Sequence, residues 1–163
     1  MRTSSLLLFL LIPILSIAQP ISSSPFKNLL NKTWKANGNW GDGSIFKQEI
    51  SFSYDLNEKI IITKTKGFID ETQEKYGNRN HGIRIYDTAT STYKFWEFDI
   101  FGGVTTGDIT YRDNDIYYTY QYGESVITDL WEYVNESTYK YKVGILVDDE
   151  WQKVFLETTF VSN

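Results

Sequence analysis

Polar and apolar side chains alternate with a period of two through most of the chain after residue 32, and this pattern limits the fold more than any other feature. The segment 44–54 shows it most clearly, since Phe46, Gln48, Ile50 and Phe52 share one face while lysine, glutamate and serine side chains share the other. That arrangement is typical of a half-buried β-strand. Such segments predict about ten strands, over residues 33–38, 44–54, 59–68, 82–86, 92–101, 104–111, 116–122, 126–135, 138–147 and 151–160.

Short connections join these segments, and they carry turn residues such as Gly102 and Gly103. The longest predicted loop covers residues 70–80. Connections of this kind cannot hold the crossover that parallel neighbours need, so we expect consecutive strands to be antiparallel. Closing the series on itself removes both unpaired edges. The sequence therefore predicts an all-β fold, an antiparallel up-and-down β-barrel of about ten strands, with a two-sheet β-sandwich as the alternative.

Residues 1–18 have the pattern of a secretory signal peptide. A positive charge at Arg2 precedes the apolar run 6–17, and the small residues that signal peptidase recognises end at Ala18. The apolar run is shorter than the roughly 20 residues that a membrane-spanning helix needs. We expect cleavage after Ala18, a secreted or periplasmic location, and a single barrel domain over residues 19–163.

A short helix is predicted between the signal and the first strand. Ser24 is suited to the N-cap position and Pro25 to the first helical position of a segment over residues 26–30. This helix would lead directly into the first strand of the barrel.

The composition of the 163 residues excludes several classes of protein. There is no cysteine, which excludes disulfides, thiol catalysis and cysteine-ligated zinc. The net charge of −5, or −6 once Arg2 leaves with the signal, disfavours nucleic acid and membrane surfaces as partners. With His81 as the single histidine and no G-x-S-x-G elbow, a nucleophilic triad has no basis. We expect no catalytic residue, no cofactor and no metal site.

Two stretches of the chain resemble calycin barrels, the group that includes lipocalins, fatty-acid-binding proteins and nitrobindin-like proteins. In these barrels a short helix leads into a first strand with a Gly-x-Trp signature. The matching run here is Leu29-Leu30-Asn31-Lys32-Thr33-Trp34, in which Asn31 or Lys32 stands where the glycine would be. The second stretch is similar to uncharacterised secreted lipocalin-like families and comprises Gly82, Tyr86, Asp87, Tyr93, Trp96, Asp99, Gly102, Gly103 and Gly107.

The resemblance implies a lipocalin-like barrel whose interior holds a small apolar or amphipathic ligand. Haem in the nitrobindin-like branch needs a histidine late in the chain, and the segment 151–160 has none. Haem is therefore not expected.

Aromatic side chains are the candidate ligand contacts, although filling the core is their default role, since a barrel of about eight to ten strands leaves room for at most a small ligand. Trp40 lies in a glycine-rich segment, residues 37–44, which is suited to an ordinary loop between the first two strands or, alternatively, to a flap at the mouth of a barrel. The candidate ligand-binding residues are Trp34, Trp40, Phe46, Phe52, Trp96, Phe98 and Trp131. The leading hypothesis is a non-catalytic protein that binds a small, largely apolar ligand.

Two other functions remain open on the sequence. One is a carbohydrate- or protein-binding module that uses exposed aromatics such as Trp40, Tyr117 and Tyr139. The other is a carboxylate-based hydrolase built on Glu97, Asp99 and Asp108. It depends on a two-residue turn after the segment 92–101, which would place Glu97 directly opposite Asp108.

A longer turn would shift that register and separate the two carboxylates. The plainer interpretation of this hairpin puts its carboxylates outside the barrel and turns Trp96, Phe98 and Ile100 towards the interior.

Overall fold

In the computed structural model, which describes residues 24–162, ten antiparallel strands close into a barrel. Each strand pairs with its neighbours in the chain, and the first strand also pairs with the last, so this sheet has no free edge. The strands are β1 (Thr33–Asn39), β2 (Ile45–Asp55), β3 (Ile60–Phe68), β4 (Tyr76–Asp87), β5 (Thr92–Asp99), β6 (Val104–Arg112), β7 (Asp115–Tyr122), β8 (Ser125–Asn135), β9 (Thr138–Val147) and β10 (Glu150–Ser162). The predicted all-β barrel is confirmed, and the alternative of two separate sheets is not formed.

The prediction of a signal peptide over residues 1–18 concerns residues outside the described part of the chain. Within residues 24–162, no helix is long and apolar enough to cross a membrane.

Alternation decides which side chains fill the barrel. In β2, Phe46, Ile50 and Phe52 are buried, while Lys47 and Ser53 on the opposite face of the strand are exposed. The same period in the other strands brings a continuous aromatic and aliphatic core to the barrel axis, with large side chains that include Trp34, Phe95, Ile109, Ile116, Trp131, Tyr139, Tyr141, Leu156 and Phe160.

The two ends of the barrel differ. The loops β1–β2, β3–β4, β5–β6, β7–β8 and β9–β10 lie at one end, which we call the open end. The remaining loops lie at the other end, together with residues 24–31, which we call the N-terminal plug. Apolar side chains of the N-terminal plug are buried in the barrel and close that end.

The N-terminal plug consists of turns rather than the predicted helix. The amides of Leu29 and Leu30 both donate to the Phe26 carbonyl, at 2.8 and 3.2 Å. The run then ends at Asn31, which has a φ of 58° and donates its amide to the Phe52 carbonyl. So short a segment cannot offset the cost of helix nucleation. Its shape is fixed instead by burial of Phe26, Leu29 and Leu30.

Strand β4 begins earlier than predicted and takes up half of the expected loop. Its first residues pair with β3, with Tyr76 opposite Phe68 and Gly77 opposite Gly67. A register irregularity between Thr65 and Lys66 accommodates this extension. Arg79 and Asn80 in this part of β4 border the interior cavity described below, and their polar side chains made the segment look like a loop.

The β5–β6 hairpin has a longer turn than the two residues assumed above. Asp99 closes it by accepting hydrogen bonds from the amides of Phe101 and Gly103, both at 2.8 Å. As a result Glu97 pairs with Thr105, and Asp108 pairs with Lys94 instead.

Candidate functional site

A cavity of about 530 Å³ extends from the open end into the barrel. Its rim includes Phe101 and Tyr122, which are exposed, and residues of the β3–β4 loop such as Gln73. Gln73 ties that loop to the start of β2, because its side-chain amide accepts from and donates to the backbone of Ile45, at 3.0 and 2.9 Å. This volume lies in the range of small-molecule binding sites.

One wall of the cavity is aromatic. Trp40 packs edge-on against Phe46 near the open end, and Phe46 stacks on Tyr141 with 6.3 Å between ring centroids. Deeper in the barrel, Phe52 packs edge-on against Trp131 at 5.7 Å. The wall combines apolar area with the negative faces of π-systems.

Four of the predicted ligand-binding residues, Trp40, Phe46, Phe52 and Trp131, line this cavity. Trp34 does not line it. Its side chain is fully buried and its indole N–H donates to the Leu29 carbonyl at 3.1 Å, so it joins β1 to the N-terminal plug.

The sequence predicted that Trp96 and Phe98 point into the barrel, and this prediction is wrong. Phe98 is 45% exposed, and neither ring lines the cavity. The inward face of β5 carries Phe95 and Glu97 instead. Glu97 points inward because Arg84 lies there as its cationic partner, and Phe98 is therefore left on the outer surface.

A buried ion pair forms the opposite, polar wall. Arg84 on β4 is 3% exposed and donates from Nη2 to Glu97 Oε1 and from Nε to the Tyr118 hydroxyl at 3.3 Å. Burial lowers the pKa of Arg84, but Tyr118 and Glu97 outweigh that effect and the net shift is upward. Gly82 makes room for the pair, because a Cβ atom at this position would collide with both side-chain ends. Arg84 is therefore held charged inside the barrel.

This ion pair leaves hydrogen-bonding capacity unused. Arg84 Nη1 and Glu97 Oε2 are buried without a protein partner, and so are Asn80 Oδ1 and the hydroxyl of Thr65. All four residues line the cavity. Buried polar atoms of this kind are normally hydrogen-bonded, so the wall is suited to a bound polar group.

A second interior carboxylate, Asp129, borders the cavity from β8. Its Oδ2 accepts from the Tyr141 hydroxyl at 2.8 Å, and its Oδ1 accepts from the Tyr120 hydroxyl at 3.1 Å. Burial raises the pKa of Asp129 to about 6, against the opposing effect of these two hydrogen bonds. Burial and the neighbouring carboxylate also raise the pKa of both tyrosines. Asp129 is therefore an interior acid that titrates near neutral pH.

Sequence reasoning missed Arg84 and Asp129 as cavity residues. For Arg84 the pattern is misleading, since Ile83 and Ile85 on either side look like the inward face. For Asp129 a signal exists, because it shares its face of the strand with Ile127 and Trp131. A lone acid in an apolar face indicates an interior polar contact.

The predicted carboxylate pair of the hydrolase hypothesis is not formed. Glu97 lies inside and is bound by Arg84, whereas Asp108 lies outside and pairs with Lys94 at 2.7 Å. Asp99 stabilises the β5–β6 turn. Among residues 24–162, no group of three or more acidic or histidine side chains is placed to hold a metal ion.

The exposed aromatic strip predicted for an interaction module is not formed either. Tyr139 is 0% exposed and packs edge-on against Trp34 inside the barrel. Trp40 borders the cavity, while Tyr117 does not.

A scan against protein-family models and a search of curated proteins found no match to this chain. Among solved structures, the barrel is similar to the S-type phycobiliprotein lyase CPES from Guillardia theta, with a TM-score of 0.50 and 11% sequence identity. The similarity covers 84% of this chain and 88% of that chain. It shows a shared calycin-type, lipocalin-like fold and nothing beyond the fold.

Proposed function

We propose that this protein binds a small, largely apolar ligand inside its barrel and does not catalyse a reaction. The observation that carries the proposal is the cavity of about 530 Å³, which combines an aromatic wall with unpartnered polar atoms. Ligand sites have this character, with apolar walls for affinity and a few polar groups for orientation. The separation of Glu97 from Asp108 supports the non-catalytic role, because it removes the one acid pair suggested by the sequence.

We also propose that the protein is exported and works as a single domain after cleavage behind Ala18. The support is the charge, apolar run and small residues of the segment 1–18. Intact mass spectrometry of protein from its source tests this, since the expected mass is that of a chain beginning at Gln19. The mass of the uncleaved chain would contradict export by this route.

Titration with N-phenylnaphthylamine, a neutral probe whose emission rises in apolar surroundings, tests the ligand-binding proposal. We expect saturable binding of one probe per barrel. Gln48→Trp should weaken it by about tenfold, because the new ring occupies apolar space in the cavity. Ser53→Trp is the matched control, since Ser53 faces outward on the same strand and its variant should bind as the wild type does. Absence of saturable binding, or equal effects of the two variants, would contradict the proposal.

A further inference from the structure

The charges on the cavity wall do not balance. At the open end, the lining residues include two cations, Lys47 and Arg79, and two anions, Asp70 and Glu71, so the rim has no net charge. Deeper inside, the lining cation is Arg84 and the lining anions are Glu97 and Asp129. One negative charge is therefore left without a cationic partner in the interior of the barrel.

The unused hydrogen-bonding atoms are mostly acceptors. Glu97 Oε2 and Asn80 Oδ1 accept only, the Thr65 hydroxyl can do either, and Arg84 Nη1 is the one obligatory donor among them. Each Asp129 oxygen also keeps a lone pair beyond its tyrosine hydrogen bond. A ligand that satisfies this wall has to bring hydrogen-bond donors.

The aromatic wall also favours a positively charged ligand. The rings of Phe46 and Trp131 line the cavity and pack against Tyr141, whose hydroxyl donates to Asp129. Aromatic faces attract cations, and the attraction strengthens where water is excluded. An anion would meet these faces and two carboxylates, and Arg84 would offer it Nη1 alone, since Nη2 and Nε already donate to Glu97 and Tyr118.

We propose that the ligand is an organic amine, bound as its ammonium, with Asp129 as counter-ion and an apolar, ring-containing body against Phe46 and Trp131. The ammonium donates to Asp129 and to neighbouring acceptors on the polar wall, and it balances the unpaired charge. The inference rests on the proposed function, because it names the class of ligand for the same cavity.

Binding is pH-dependent in this arrangement. The charged and titratable groups around Asp129 are Glu97 on β5, Arg84 on β4, Tyr118 and Tyr120 on β7, and Tyr141 on β9. Glu97 raises the pKa of Asp129 and Arg84 lowers it, both less than burial does. Protonation of Asp129 below about pH 6 removes the counter-ion, so amine binding weakens there.

Isothermal titration calorimetry with three indole probes tests the inference. Tryptamine, tryptophol and indoleacetate share a ring system and differ in carrying a cation, a neutral hydroxyl and an anion. The titrations are made at about pH 7.5, above the pKa of Asp129, so that this carboxylate is ionised. There we expect tryptamine to bind about tenfold more tightly than tryptophol, as close charge pairs allow. Indoleacetate should bind most weakly.

Asp129→Asn should abolish the preference for tryptamine over tryptophol. The control Asp108→Asn removes an exposed carboxylate and should behave as the wild type does. The wild type itself gives a second measurement, since its preference for tryptamine should shrink when the pH is lowered through about 6.

Equal binding of tryptamine and tryptophol by the wild type would overturn the inference. So would tightest binding of indoleacetate, or a preference for tryptamine that persists in Asp129→Asn. If N-phenylnaphthylamine binds and tryptamine does not, the inference fails and the proposed function stands. If none of the four probes binds, both fail.

Discussion

Gly82 shows how one residue shapes the interior. Its missing side chain leaves the space in which Arg84 and Glu97 meet, and any Cβ there would collide with both. Because the two side chains form an ion pair, β4 and β5 can point Arg84 and Glu97 into the barrel. Removing one partner of a buried pair leaves the other charge uncompensated, which costs more than the pair itself contributes.

Glu97→Ala should therefore lower the free energy of unfolding by about 3 kcal/mol, because Arg84 stays buried without its partner. Urea denaturation measures this. Asp108→Ala is the matched control. It breaks the exposed pair with Lys94 and should cost less than about 1 kcal/mol. Equal losses in the two variants would contradict the assigned role of the interior pair.

Asp129 makes stability depend on pH in an unusual direction for an acid. Its pKa in the folded protein is raised to about 6 from 3.8, so the folded state holds the proton more tightly than the unfolded state does. Between these values stability falls as pH rises. The stabilisation by protonated Asp129 is fully present below its pKa in the unfolded chain, 3.8, and is lost as the pH rises through its pKa in the folded protein, about 6.

The measurement is urea denaturation of the wild type and Asp129→Asn between pH 4 and pH 7. The wild type should lose roughly 2 to 3 kcal/mol relative to the variant over this range, as the size of the shift implies. A difference that is constant with pH, or that changes in the opposite direction, would show that Asp129 is not an interior acid with a raised pKa.

Among the elements, the N-terminal plug does most to make the two ends of the barrel different. It contains no strand, yet Phe26 packs edge-on against Tyr93 and Tyr118, at 5.5 and 6.4 Å. Trp34 on β1 is joined to the plug by the hydrogen bond from its indole N–H to the Leu29 carbonyl. Closing this end by side chains leaves the other end as the entrance to the cavity.

Phe26→Ala should destabilise the protein by about 3 to 4 kcal/mol, because it opens a void among aromatic rings. Thermal or urea denaturation measures the loss. Lys27→Ala changes the next residue, which is exposed, and should have little effect. A small loss in Phe26→Ala would mean that the plug is not part of the cooperative core.

At the scale of the whole molecule, the barrel has one sparsely bonded seam. Strands β1 and β10 pair at Trp34 opposite Ser162 and at Lys35 opposite Val161. Farther along, the Thr158 hydroxyl donates to the Asn37 carbonyl at 2.7 Å, and just beyond β1 the Gly41 amide donates to the Phe155 carbonyl at 2.7 Å. The same β10 pairs with β9 along nearly its whole length.

The seam should therefore open first. Hydrogen exchange of the amides between β1 and β10 should be at least about tenfold faster than exchange between β9 and β10, since local opening follows local bonding. Thr158→Val should widen this difference. Equal protection on both sides of β10 would show that the barrel opens elsewhere or as one unit.

The sequence by itself determined the all-β class, the antiparallel order of the strands and the inward face of β2. These follow from local rules, because a period of two and a short turn act between residues near in the chain. The sequence also favoured closure into a barrel over a two-sheet sandwich, since a long meander otherwise exposes two edges. The pairing of β1 with β10 in the tertiary structure decided between the two.

Only the tertiary structure decided which residues form the site. The pattern around Arg84 favours its isoleucine neighbours as the buried face, and only Glu97 on the next strand makes the reverse arrangement stable. The length of the β5–β6 turn set the partners of Glu97, and a shift of a strand's register changes every partner along it. Asp129 is an interior acid because β7 and β9 each bring a tyrosine to it. Such contacts join residues far apart in the chain, and a periodic pattern carries no information about them.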